Sequence, residues 1–143
     1  MTINAILKRK GTDIYTVSPS TTAKEAADSM RKNNIAALMV VEGGGIVGII
    51  TERDLVRGFS KFGEGLNTKL VQDIMSKNPV TVTPEDSIKD AMSVMTKRTI
   101  RHLPVQSDGE LKGMVSIRDV VRHRLEDLET EANVLRDVYI AAR

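Results

Sequence analysis

The sequence predicts an α+β fold in which two β-α-β-β-α units pack about a pseudo-twofold axis, followed by a long C-terminal helix. Three observations carry that expectation. Thr16 to Arg57 aligns without a gap on Thr81 to Arg122 at an offset of 65, and 16 of those 42 pairs are identical, which marks an internal duplication. Within each copy, apolar residues switch from the spacing of an amphipathic helix to runs typical of strands. Beyond the repeat, Val121, Leu125, Leu128, Ala132, Leu135, Tyr139 and Ala142 recur in alternating steps of four and three, the spacing of a heptad seam.

The elements follow in chain order. Ile3, Ile6 and Leu7 correspond to Val71, Ile74 and Met75 and form a prelude to each copy. A short extended segment, Tyr15 to Ser18 and then Val80 to Thr83, meets a proline, after which Thr22-x-x-Glu25 and Ser87-x-x-Asp90 offer capping boxes for a helix. Ala23, Ala26, Ala27 and Met30 form one apolar helix face, and Ile88, Ala91, Met92 and Met95 form its repeat. Two strands come next, Ile35 to Val41 and Ile46 to Thr51, repeated as Ile100 to Gln106 and Leu111 to Ser116. Gly43-Gly44-Gly45 and Asp108-Gly109 supply the hairpin turns. A second helix closes each copy. The chain divides into a first motif over 1–60, a glycine-containing linker over 61–70, a second motif over 71–124 and a C-terminal helix over 125–143. Each copy alone is too small to bury a good core, so the two are expected to form one compact pair. The heptad helix either folds back on its own domain or packs against another subunit.

Composition narrows the function. The 143 residues are 28% charged and 41% hydrophobic, an ordinary globular balance. The longest apolar run, Ile35 to Val41, is far short of a membrane span, and the charged start does not read as a signal peptide, so a cytoplasmic protein without membrane contact is expected. There are no cysteines and two histidines in no metal-ligand spacing, so no metal site and no cofactor requirement are expected. Basic and acidic residues are interspersed to a net charge of +2, and aromatics are 3% of the chain, which makes nucleic acid an unexpected partner. No constellation of nucleophile, base and oxyanion donors is legible, so no catalytic residue is assigned and the chain is not expected to be an enzyme. Gly43-Gly44-Gly45-Ile46-Val47-Gly48 spells a dinucleotide fingerprint, but a second strand follows it where a helix is required.

The duplicated Gly48-Ile49-Ile50-Thr51-Glu52-Arg53-Asp54 and Gly113-Met114-Val115-Ser116-Ile117-Arg118-Asp119, with Arg101-His102-Leu103-Pro104-Val105, resemble the CBS domain in its tandem form, the Bateman module. The likeness covers nearly the whole chain and is strongest to small stand-alone bacterial CBS proteins. Thr51 and Ser116 stand where a strand passes into a helix, so their hydroxyls and the first free amides form an anion site. Asp54 and Asp119 place a carboxylate beside it that can accept from ribose hydroxyls. The same spacing is also a capping box, in which both groups serve only the backbone.

The resemblance implies a non-catalytic sensor that binds an adenine nucleotide between the motifs. AMP or ADP is the expected ligand, with ATP, NAD(H) or S-adenosylmethionine as alternatives; the rival reading is a dimeric scaffold with vestigial pockets. It further implies Thr16, Thr21 and Ile35 as lining for the ligand of Asp119, and Thr81, Asp86 and Ile100 for that of Asp54. Arg101 and His102 are expected to clamp a phosphate, or else to be rim cations, and Ala36 and Ala37 replace them in the first copy. The Asp119 pocket is therefore expected to bind more tightly, with Arg53 and Arg118 narrowing the gap. Regulated proteins and a second copy, in a disc-like homodimer, are the expected macromolecular partners.

Overall fold

The structure, a computed structural model, describes every residue except Thr12 and Arg143. In order it contains α1 (Ile3–Lys10), β1 (Thr16–Val17), α2 (Ala23–Asn33), β2 (Ala37–Glu42), β3 (Gly45–Thr51), α3 (Glu52–Phe62), a 3-10 helix (Gly63–Thr68), α4 (Val71–Ile74), β4 (Ser76–Lys77), α5 (Ile88–Arg98), β5 (His102–Ser107), β6 (Glu110–Ser116) and α6 (Ile117–Ala141). The first sheet runs β1-β2-β3-β4 and the second pairs β5 with β6. In the second copy a single parallel bridge, Val82 to Val105, stands where β1 pairs in parallel with β2 in the first.

The duplication survives in detail. The β2–β3 ladder slips between Val40 and Val41, and the β5–β6 ladder slips at the equivalent Val105 and Gln106. Both hairpins turn through two residues of positive φ, Gly43-Gly44 and Asp108-Gly109, the conformation that matches strand twist. Thr22 accepts from the Glu25 amide at 3.1 Å and Ser87 from the Asp90 amide at 3.0 Å. The full capping box closes only at Thr22, where Glu25 Oε2 accepts from the Thr22 amide at 3.3 Å, and Ser87 caps without the return bond.

The two cores exchange their preludes. Ile3, Ile6 and Leu7 of α1 are buried with Val82, Ile88, Met95, Leu103, Val105 and Val115 of the second copy. Val71 of α4, with Ile74 and Met75, packs on Ala26, Met30, Leu38 and Ile50 of the first. Each motif is thus completed by chain that precedes the other one, which ties the pair into one unit. Between α3 and α4, Gly63–Thr68 wind into the 3-10 helix, whose Leu66 lies against Gly58 of α3. α6 runs without a break through 124/125, and every described residue from Glu129 onward is exposed. The helix therefore does not fold back on its own domain. Among the described residues no helix is long and apolar enough to cross a membrane.

Candidate functional site

β3 delivers Thr51 to the start of α3 as its N-cap. Asp54, the third helical residue, turns back so that its Oδ2 accepts from the Thr51 amide at 2.9 Å and the Thr51 hydroxyl at 3.2 Å. Asp54 is 8% exposed, and the internal bonds of its carboxylate all run through Oδ2, so Oδ1 is left to accept from a ligand. The capping and binding readings are therefore compatible: one oxygen closes the cap and fixes the other.

Asp54 sits in a cleft of about 670 Å³ whose walls come from both copies. Ile49, Val80 and Ile100 give it an apolar side, and Thr51 and Asp54 give it a polar end. Arg53, Arg57, Lys77, Arg98 and Arg101 also line it, and among the described residues none of the five makes an ion pair. Five cations against Glu52 and Asp54 give this small volume a strong positive bias, which favours an anionic ligand. Thr99 adopts a left-handed conformation (φ 54) at its rim, the counterpart of Asn34 (φ 54) in the first copy.

The Asp119 end differs. Ser116 caps α6 by accepting from the Asp119 amide at 3.2 Å, and Asp119 Oδ2 accepts from the Ser116 amide at 2.9 Å. That oxygen also receives Lys10 Nζ at 2.7 Å, and the same ammonium donates to the Met114 carbonyl at 3.1 Å. Burial pushes the Asp119 carboxyl up, but the Lys10 ammonium and the Ser116 amide and hydroxyl outweigh it and hold it below the usual carboxylate range. The last residue of α1 thus sets a cation on the capping oxygen of Asp119, which Asp54 lacks, while among the described residues Oδ1 carries no internal bond at either carboxylate.

The sequence-derived residues divide accordingly. Thr51, Arg53, Asp54, Ile100, Arg101 and His102 meet around one cleft. Arg101 and His102, expected beside Asp119, line the cleft of Asp54 and also stay close to the Asp119 end, since His102 pairs with Ser116 across β5–β6 and the Arg101 carbonyl accepts from the Ile117 amide at 2.8 Å. Thr81 and Asp86 do not line the Asp54 cleft: Thr81 accepts from Gln106 at 3.4 Å and Asp86 holds the Thr83 amide at 2.8 Å. Thr16 is exposed on β1, Thr21 accepts from the Ser18 amide at 3.2 Å, and Ile35 packs on the first core. Arg118 is exposed outside the cleft. Arg57, Lys77, Arg98 and Lys10 were not singled out by sequence. Only Arg57 left a signal there, as half of the identical pair with Arg122; Lys77 reaches the cleft because β4 pairs with β3 at Gly48.

Removing the Lys10 ammonium is expected to free Asp119. Lys10→Ala should cost no more than about 1 kcal/mol of stability at neutral pH, since both partners are part exposed. Because the Asp119 carboxyl lies low in the folded state, that contribution is present above the ordinary carboxylate range and fades as pH falls through the depressed value. The informative readout is calorimetric stoichiometry, which should rise toward two nucleotides per chain. An unchanged single site would show that Lys10 does not obstruct Asp119.

Taken together, fold and site define a duplicated ligand-binding module whose cleft offers one fixed carboxylate, an apolar wall and free cations. The CBS-domain profile matches residues 7–61 and 71–126, and the chain belongs to that family. It is 40% identical over 130 residues to the mitochondrial CBS domain-containing protein CBSX3 of Arabidopsis thaliana, covering 85% of this chain and 63% of that protein. The solved structure of a CBS-domain protein from Agrobacterium tumefaciens superposes with a TM-score of 0.84 at 36% identity, over 87% of this chain and 99% of that one. CBSX2, solved in complex with AMP, has a TM-score of 0.72 at 25% identity over 87% and 96% of the two chains. A CBS domain pair solved with 5-methylthioadenosine and S-adenosylmethionine has a TM-score of 0.76 at 27% identity over 85% and 98%.

Proposed function

We propose that this CBS pair is a non-catalytic, cytoplasmic regulatory module that binds a phosphorylated adenine nucleotide, AMP or ADP in the first instance, in the Asp54 cleft. The observation that carries the reading is the juxtaposition of a buried carboxylate with one oxygen spare and five cations without partners. Asp54 Oδ1 would accept from the ribose, Ile49, Val80 and Ile100 would face the base, and the arginines would hold phosphate through their planar forks. The complexes of related pairs with AMP and with S-adenosylmethionine support an adenosine compound. The charge of this cleft favours a phosphate ester over S-adenosylmethionine, which is itself a cation, and leaves ATP and NAD(H) as competitors. The module is further read as a homodimer.

Thermal melts with AMP, ADP, ATP, NADH and S-adenosylmethionine test this directly. A ligand at 100 times its dissociation constant adds about 2.7 kcal/mol, a shift of several degrees. No shift with any of the five would leave the pocket vestigial and the chain a scaffold.

Protonation offers a second check. Burial holds His102 below the ordinary histidine range; Lys10 and Arg101 add to this and Asp119 opposes it. The free cleft therefore carries a neutral imidazole near pH 7, and a bound phosphate raises its pKa. Binding then takes up a proton, so nucleotide affinity should increase as pH falls from about 8 to 6. Calorimetry in buffers of different ionisation enthalpy should show that uptake, and His102→Gln should abolish it. Uptake that persists in the variant would assign it to another group.

A further inference from the structure

Resting on the homodimer reading above, we infer that α6 is a dimerisation helix whose partner is α6 of a second copy, parallel and in register. α6 is 25 residues long, or about 37 Å, and its seam is exposed at Val121, Leu125, Leu128, Ala132 and Leu135. Val121, Leu125, Leu128 and Leu135 are 39%, 56%, 44% and 70% exposed, a row that water covers in the single chain. In heptad terms Leu125, Ala132 and Tyr139 hold a positions, and Val121, Leu128, Leu135 and Ala142 hold d. Leucine at d suits a two-stranded parallel coil.

The flanking charges, together with the length of seam covered, select the orientation. Arg124 and Glu131 stand at g, and Arg122, Glu129 and Arg136 at e. In a parallel pair each g residue meets the e residue five positions on in the second copy. Arg124 then faces the second copy's Glu129, and Glu131 faces its Arg136; the twofold repeats both pairs, giving four attractive contacts. None of these four residues has an ion-pair partner within the chain, among the described residues. An antiparallel pair that overlaps the full seam sets Glu131 against Glu131, Glu129 against Glu129 and Arg122 against Arg136, all repulsive. Sliding that pair by one heptad in one direction keeps only the Glu129–Arg136 contacts and releases Val121; sliding it in the other pairs Arg122 with Glu129 and Arg124 with Glu131, but releases Leu135, Tyr139 and Ala142 from the seam. The parallel arrangement places the twofold axis along α6 and the two CBS pairs side by side at its start.

The chain contains no cysteine, so one introduced thiol reads orientation. Ala142→Cys lies against its own copy in the parallel dimer and about 25 Å or more from it in the antiparallel ones. Sedimentation should show a dimer, and mild oxidation should link most of the Ala142→Cys protein. A dimer that fails to cross-link would overturn the parallel arrangement while sparing the homodimer, and a monomer would overturn both. Glu131→Arg alone should weaken the dimer by about tenfold and Glu131→Arg with Arg136→Glu should restore it. These residues are exposed, so the change leaves the CBS cores intact. Equal weakening in the single and double variants would count against the Glu131–Arg136 contact.

Discussion

Asp54→Ala is expected to reduce AMP or ADP affinity by about 100-fold or more, whereas Asp119→Ala leaves the tighter site in place. A charge-assisted hydrogen bond contributes about 1.5 to 3 kcal/mol, and a carboxylate that accepts from two ribose hydroxyls supplies two of them. Each 1.4 kcal/mol is about tenfold in affinity. Asp54 also closes the cap of α3 through the Thr51 amide, so the alanine variant should lose about 1 kcal/mol of stability as well. Asp54→Asn separates the effects, because the amide oxygen can keep the cap while the charge is gone. Arg101→Ala should cost the same site about tenfold, since the guanidinium lines the Asp54 cleft. Titration calorimetry decides among these. Loss of binding in Asp119→Ala with retention in Asp54→Ala would reverse the assignment of the primary site.

Gly48→Ala is the substitution expected to damage stability most. A Cβ at Gly48 would lie 2.5 Å from Met75 Sδ and 2.9 Å from the Ser76 carbonyl oxygen. Side chain and backbone of the exchanged segment would both have to retreat, and overpacking of this kind costs about 1 to 3 kcal/mol. At the repeat-equivalent Gly113 the Cβ would meet only the flexible end of Leu7, at 2.8 Å from Cδ2, so Gly113→Ala should be milder. The effect reaches function because Gly48 pairs with Lys77, and both β3 and β4 feed residues into the cleft. Gly48→Ala should therefore lower both the denaturation midpoint and nucleotide affinity, and Gly113→Ala chiefly the former. Equal destabilisation by the two would mean that the Ser76 carbonyl yields as easily as the Leu7 side chain.

Much of this protein is local and was legible as sequence. The repeat, the caps at Thr22 and Ser87, the hairpins at Gly43-Gly44 and Asp108-Gly109 and the strand-to-helix position of Thr51 and Asp54 depend on residues within a few positions of one another. Backbone geometry and side-chain periodicity settle such features without reference to the rest of the chain. The repeated pair Gly48 and Gly113 was legible as a motif, yet its reason was not, since the atoms that demand a glycine belong to Met75, Ser76 and Leu7.

What only the tertiary structure decided is which copy each piece serves. Ile3, Ile6 and Leu7 have the same apolar pattern whichever core they enter, so their entry into the second core, and that of Val71 into the first, could not be read from pattern. That exchange brings Lys10 to Asp119 and carries Lys77 to the Asp54 cleft, so it separates two carboxylates that the repeat makes equivalent. Local sequence determined that α2, α3, α5 and α6 would each begin with a hydroxyl, three residues before a carboxylate. The distribution of cations around the two carboxylates was decided by packing, because Coulomb interactions act between groups that are close in space, whatever their separation along the chain.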